Sequence, residues 1–154
     1  MISDDQKTVP PRPLPAPYEI CEEVPSVSSY LAMRAKTGLA PKDPLSAKIS
    51  LENTVWPVQV LRDGEIVGFG RVVGDGGIWF MITDVLVDPS CQNDGLGRYI
   101  VHHLSARFYR ETKPGAYMMA VTVAPEFAYK SGARPIEENE TAVCFWHSTT
   151  GLQG

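Results

Sequence analysis

The stretch from Val55 to Val87 constrains the fold more than any other part of this 154-residue chain. It holds three β-rich runs, Val55 to Leu61, Ile66 to Val73 and Ile78 to Val87, joined by Arg62-Asp63-Gly64-Glu65 and Gly74-Asp75-Gly76-Gly77. Asp-Gly between two such runs is a strong hairpin signal, so the centre of the chain reads as an antiparallel meander. At Asp88-Pro89 the pattern changes. A polar loop leads into Leu96, Ile100, Val101, Leu104 and Phe108, the apolar face of a helix that stops before Lys113-Pro114-Gly115. Ala116 to Ala124 is a further strand. Strand, helix and strand in that order form a right-handed crossover, which lays the two strands parallel in one sheet. The fold class is α+β with a mixed sheet flanked by helices.

The flanks are simpler. Five prolines precede Tyr18 (Pro10, Pro11, Pro13, Pro15 and Pro17) and block helix and sheet alike. Residues 1–17 are therefore an extended arm, disordered or packed along the domain, and residues 18–154 a single domain. Tyr18 to Val24 alternates as a half-exposed strand. Pro25-Ser26 opens a short helix carrying Val27, Tyr30, Leu31, Met33 and Arg34 and ending near Gly38, and a second helix fits between Pro44 and Asn53. A short helix around Glu126 to Ser131 and a strand around Thr141 to His147 would complete the domain.

Composition narrows the function. At 44% hydrophobic and 21% charged residues the chain is ordinary for a globular protein. Its net charge of -4 disfavours nucleic acid and anionic membranes as partners, so any phosphate must be held by local geometry. No apolar run approaches the roughly 20 residues of a membrane span, and the N-terminus lacks a signal-peptide pattern, which predicts a cytoplasmic protein. Cys21, Cys91 and Cys144 form no Cys-x-x-Cys pair, and the adjacent His102 and His103 diverge by about 100° on a helix. Neither a disulfide framework nor a metal site is expected.

The informative loop runs from Val85 to Arg98, where a strand ends and Gly95 and Gly97 open the long helix. The first turn of a helix leaves backbone N–H groups unpartnered, and the helix dipole adds positive charge there. Such an end binds phosphate, and glycine lets the phosphate come close. The two glycines would equally make a tight strand-to-helix turn. Gln92-x-x-Gly95-x-Gly97 resembles the acyl-CoA signature of the GNAT (GCN5-related N-acetyltransferase) superfamily. Gly68-x-Gly70-Arg71-Val72-Val73-Gly74-Asp75-Gly76-Gly77 and Thr83-Asp84-Val85-Leu86-Val87 are similar to its small-molecule members.

That resemblance implies an acyltransferase moving an acetyl or other acyl group from CoA to a small-molecule amine, by direct attack in a ternary complex. It implies that the strand through Leu86 and Val87 offers backbone groups to the pantetheine arm. The loop Gln92, Asn93, Asp94, Gly95, Leu96, Gly97 and Arg98 would hold the pyrophosphate. Asp94 departs from the family's basic or neutral residue; it would either repel phosphate or cap the helix. A homodimer, with Cys144-Phe145-Trp146 at the interface, follows by the same analogy.

Acyl transfer needs an uncharged amine and a proton for the departing thiolate. Asp84, a carboxylate inside an apolar strand, is the candidate base, or else a structural group paired with an arginine or backbone partner. The family's acid is a tyrosine four residues before a glycine, but counting back from Gly132 reaches Ala128, so Tyr129 is the nearest candidate. Tyr30, Arg34, Trp56, Trp79 and Phe80 are candidate walls for the acceptor, although aromatic residues also fill cores. Two alternatives stand beside the acyltransferase: the same fold with other chemistry in the cleft, and a non-catalytic acyl-CoA sensor.

Overall fold

The computed structural model describes residues 13–121 and residue 133. The elements run β1 (Tyr18–Cys21), α1 (Val27–Lys36), α2 (Pro44–Glu52), β2 (Trp56–Arg62), β3 (Glu65–Gly74), β4 (Trp79–Val87), a 3-10 turn (Pro89–Asp94), α3 (Leu96–Glu111) and β5 (Tyr117–Ala120). The strands form one sheet in the order β1-β2-β3-β4-β5. Neighbours are antiparallel through β4, and β5 pairs parallel to β4 across the α3 crossover. The first strand ends at Cys21, three residues before its expected limit. The expected helix around Glu126 to Ser131, the strand around Thr141 to His147 and Tyr129 lie outside the described residues.

Local chemistry sets the boundaries. The Ser26 hydroxyl accepts from the Ser29 N–H and starts α1; Asp43 accepts from the Ser46 N–H ahead of Pro44 and starts α2. Asp63 and Gly64 both take positive φ, 53° and 79°, which closes the β2-β3 hairpin with the hand that suits twisted strands. In the next turn one Asp75 oxygen accepts from the N–H groups of Gly77, Ile78 and Trp79. Those bonds hold its carboxyl below the usual carboxylate range.

The sheet separates two cores. On one face Val58, Val60, Val72, Phe80 and Ile82 pack against Leu96, Ile100, Leu104 and Phe108 of α3. On the other, Phe69 and Leu86 pack with Tyr30, Met33, Ala47 and Leu51 of α1 and α2. The Gly68-x-Gly70 pair lets α3 close on β3: a Cβ on Gly70 would stand 2.3 Å from Ile100 Cγ2. Leu14, from the proline-rich arm, packs against the α3 core. Among the described residues no helix is long and apolar enough to cross a membrane.

β4 changes face part-way. Arg71 pairs with Thr83 and Phe69 with Leu86, so a two-residue step on β3 meets a three-residue step on β4, with Asp84 at φ 54°. Phe80 and Ile82 belong to the α3 core, but Leu86 belongs to the opposite one. Without the extra residue, even-numbered side chains would stay on one face. The bulge turns Asp84 toward α1.

Candidate active site

Beyond Ile82 the edge of β4 opens. Its pairing with β5 runs from Trp79↔Tyr117 to Ile82↔Ala120, and Thr83 to Val87 have no partner on that edge among the described residues. Leu86 is 1% exposed, so only its main chain can meet a ligand there. The strand leads into Asp88, which caps the 3-10 turn by accepting from the Ser90 N–H and hydroxyl and also takes a bond from Lys36. The Ser90 amide, its hydroxyl and then Lys36 hold the Asp88 carboxyl down at about 2.

Gly95 ends the turn and starts α3 at φ 77°, a conformation that favours glycine. Among the described residues no side chain caps α3, and Tyr99 is the residue whose N–H reaches the Gly95 carbonyl. The amides of Leu96, Gly97 and Arg98 thus stand at the positive end of a 16-residue helix. Packing does not require Gly97: an added Cβ would meet only Val87 Cγ2, at 3.6 Å. The bare backbone there leaves room for a phosphate. Leu96 buries its side chain in the core and offers only its amide, while Gln92, Asn93 and Arg98 are exposed. The Gln92 amide donates to the Val87 carbonyl at 3.5 Å.

Asp94 does not cap α3, because the cap position belongs to Gly95. Its carboxylate instead accepts from the Tyr18 hydroxyl at the end of the proline-rich arm. That bond pushes the Tyr18 phenol up to about 12. Sequence reasoning missed Tyr18, 76 residues away in the chain, since nothing local signals such a pairing. Cys91 is 1% exposed in the α3 core and faces no ligand.

On the other face lies a cavity of about 420 Å³ lined by residues of α1, α2, β3 and β4 and the loop between the two helices. Asp84 is its floor. One carboxylate oxygen accepts from Arg34 Nη1 at 2.6 Å; the other accepts from Arg71 Nε at 2.8 Å and from the Tyr30 hydroxyl at 2.9 Å. Arg34 and Arg71 are 6% and 5% exposed. Arg34 also donates to the Ala40 carbonyl, and Arg71 to the Ser50 carbonyl and hydroxyl and to Thr54. Burial pushes the Tyr30 phenol up, and the charge of Asp84 adds to it. The arginine pairing weighed beside a catalytic base is present: three donors take three of the roughly four acceptor sites of the carboxylate, two on one oxygen and one on the other.

The aromatic walls are distributed differently from expectation. Phe80 is 3% exposed and stacks on Trp56 at 5.0 Å in the α3 core, so both lie across the sheet from the cavity. Phe80 is a filler because even positions of β4 before the bulge face α3, and Trp56 at the start of β2 packs beside it in the same core. Trp79 is exposed and stacks on Tyr117 at 4.9 Å, outside the cavity lining. Arg71 and Lys42, which do line it, were not singled out in the sequence. An arginine between Gly70 and Val72 of an apolar strand is the signal for the first; Lys42 lies in a polar loop and has none. Glu22 accepts from His103 and Arg107, and the His103 bond holds its carboxyl low. His102, half-buried and pushed down by burial and then by Arg98, does not line the cavity.

Residues 31–130 match the Acetyltransferase (GNAT) family. The chain belongs to the GNAT family. Curated relatives include a chloroplastic GCN5-related N-acetyltransferase of Arabidopsis thaliana, 34% identical over 73 residues (46% of this chain and 36% of the relative). A chloroplastic serotonin N-acetyltransferase of rice is 46% identical over 43 residues (28% of this chain). The matched parts thus span about a third or less of these relatives, 36% and 22% of their lengths. Among solved structures, a methicillin-resistant Staphylococcus aureus protein of unknown function, described as a probable acetyltransferase, superposes with a TM-score of 0.77. It is 26% identical, over 84% of this chain and 99% of that one. GNAT proteins generally use acetyl-CoA, and the open β4 edge beside the uncapped start of α3 fits its pantetheine arm and pyrophosphate.

Proposed function

We propose that this GNAT domain transfers an acetyl group from acetyl-CoA to the amine of a small molecule, with donor and acceptor bound together. The observation that carries the reading is the pair of features that meet at one bulge. The edge of β4 from Thr83 to Val87 is unpaired among the described residues and leads toward the first-turn amides of α3, and Asp84 in the same stretch floors the cavity. Acetyl-CoA supplies the activated acyl thioester. Main-chain groups of Leu86 and Val87 would hold the pantetheine arm, and the amides of Leu96, Gly97 and Arg98 the pyrophosphate. Asp84 acts as a positioning residue: it anchors Tyr30, Arg34 and Arg71 and so fixes the shape of the acceptor cavity. Tyr129 remains the residue that the family pattern offers as proton donor. A thiolate with a conjugate pKa of about 8.5 departs without strict need of one.

Titration calorimetry with acetyl-CoA and desulfo-CoA tests the donor half. Saturable binding of both is expected, and absence of binding at millimolar ligand removes the proposal. Thiol release across a panel of amines then tests the transfer itself, and a protein that binds acetyl-CoA yet acylates nothing would be a sensor rather than an enzyme.

A further inference from the structure

The charge of the acceptor cavity is opposite to that of the chain. Lys42, Arg34 and Arg71 line it, Asp84 is the only carboxylate in the lining among the described residues, and the protein as a whole carries -4. Asp84 is consumed by the two arginines, and one further N–H on Nη2 of each guanidinium has no partner among the described residues. Lys42 has no ion pair or hydrogen bond among the described residues. Asp43 beside it is turned away to the start of α2, where it accepts from the Ser46 N–H. An excess of two positive charges, two of the three cations being nearly buried, is costly without a counter-charge. The hydroxyls of Ser46, Ser50 and Thr83 in the same lining add neutral hydrogen-bonding groups.

We propose that the acceptor amine also carries an anionic group, a carboxylate or a phosphate, held in this cavity by Lys42 and the remaining N–H groups of Arg34 and Arg71. Guanidinium groups suit either anion, since both offer oxygens that a planar fork can meet. The inference deepens the acyltransferase reading and rests on it for calling the anion part of an acceptor; the cavity's preference for an anion stands on the charges alone.

Two measurements separate those claims. In the first, the intact protein is titrated with inorganic phosphate, succinate and uncharged glycerol, and followed at the side-chain Nε resonances of Arg34 and Arg71. These resonances read the cavity apart from the start of α3. Saturable shifts with at least one anion and none with glycerol are expected, with affinity falling roughly ten-fold in Lys42→Glu. No saturable shift with either anion, or equal affinity in Lys42→Glu, overturns the proposal. In the second, acceptor pairs are compared by thiol release: phosphoethanolamine against ethanolamine, and β-alanine against β-alaninamide. The anionic member of at least one pair is expected to have the higher kcat/KM, through KM, and Lys42→Glu to erase the preference; the favoured pair tells phosphate from carboxylate. Turnover without preference overturns the inference and leaves acyl transfer standing. Release from no amine at all fails acyl transfer, and the anion titration still decides the cavity.

Discussion

Asp84 concentrates two arginines and a tyrosine on one buried carboxylate. Removing it leaves two guanidiniums, 6% and 5% exposed, facing each other without a counter-charge. Breaking a buried pair this way costs about 3–5 kcal/mol, so Asp84→Ala is expected to lower urea unfolding stability by that amount. A loss below about 1 kcal/mol would mean the triad is not held as described. The second residue-scale prediction concerns Tyr18. Difference titration of its phenol, wild type minus Tyr18→Phe, is expected to show a midpoint near pH 12. Asp94→Asn is expected to return it toward the ordinary value of about 10. Asp84 was legible in the sequence as a charge inside an apolar strand. Its partners were not, because Arg34 is 50 residues away and Arg71 reaches it only across a strand pair.

Each element owes its place to a few contacts. α3 approaches β3 closely at Gly70, where a methyl group would collide with Ile100 at 2.3 Å. Gly70→Ala is therefore expected to cost about 1–3 kcal/mol in denaturant unfolding, as overpacked cores do. The 3-10 turn that leads into α3 depends on Asp88, whose replacement by alanine should cost roughly 1 kcal/mol near neutral pH. That difference has a defined pH window. The folded Asp88 carboxyl sits at about 2, below its unfolded value, so its contribution is complete above the unfolded pKa and lost as pH falls through the folded one. Stability curves of wild type and Asp88→Ala are expected to run parallel above about pH 4 and to converge toward pH 2. Curves that stay parallel throughout would show the carboxylate to be unengaged.

For the molecule as a whole, fold stability and donor binding are expected to separate. The Gly97 position has room for a side chain, with Val87 the nearest contact at 3.6 Å, and that room is where the proposed pyrophosphate would lie. Gly97→Leu is thus expected to keep unfolding stability within about 1 kcal/mol of wild type while losing most affinity for acetyl-CoA in calorimetry. Undiminished affinity would place the donor elsewhere than at the start of α3. The same separation explains why the two halves of the site differ in legibility. The proposed donor side is built from contiguous residues, Leu86 to Arg98, whose strand, turn and helix are local patterns. The proposed acceptor side gathers α1, α2, β3 and β4, and nothing in one segment announces the other three.

The sequence by itself determined the order and type of the described strands and α-helices, though not the 3-10 turn it read as a loop, because alternation, helical spacing and Asp-Gly turns are local and each is decided by a few neighbouring residues. It also marked the glycine turn that opens α3, since glycine placement against a helix start is a local property. Tertiary structure alone decided which side chains face the cavity. One extra residue in β4 reverses the side on which every later side chain emerges. That register depends on pairing with β3, so Phe80 enters the core while Asp84, on the same strand, turns to meet Arg34 and Arg71.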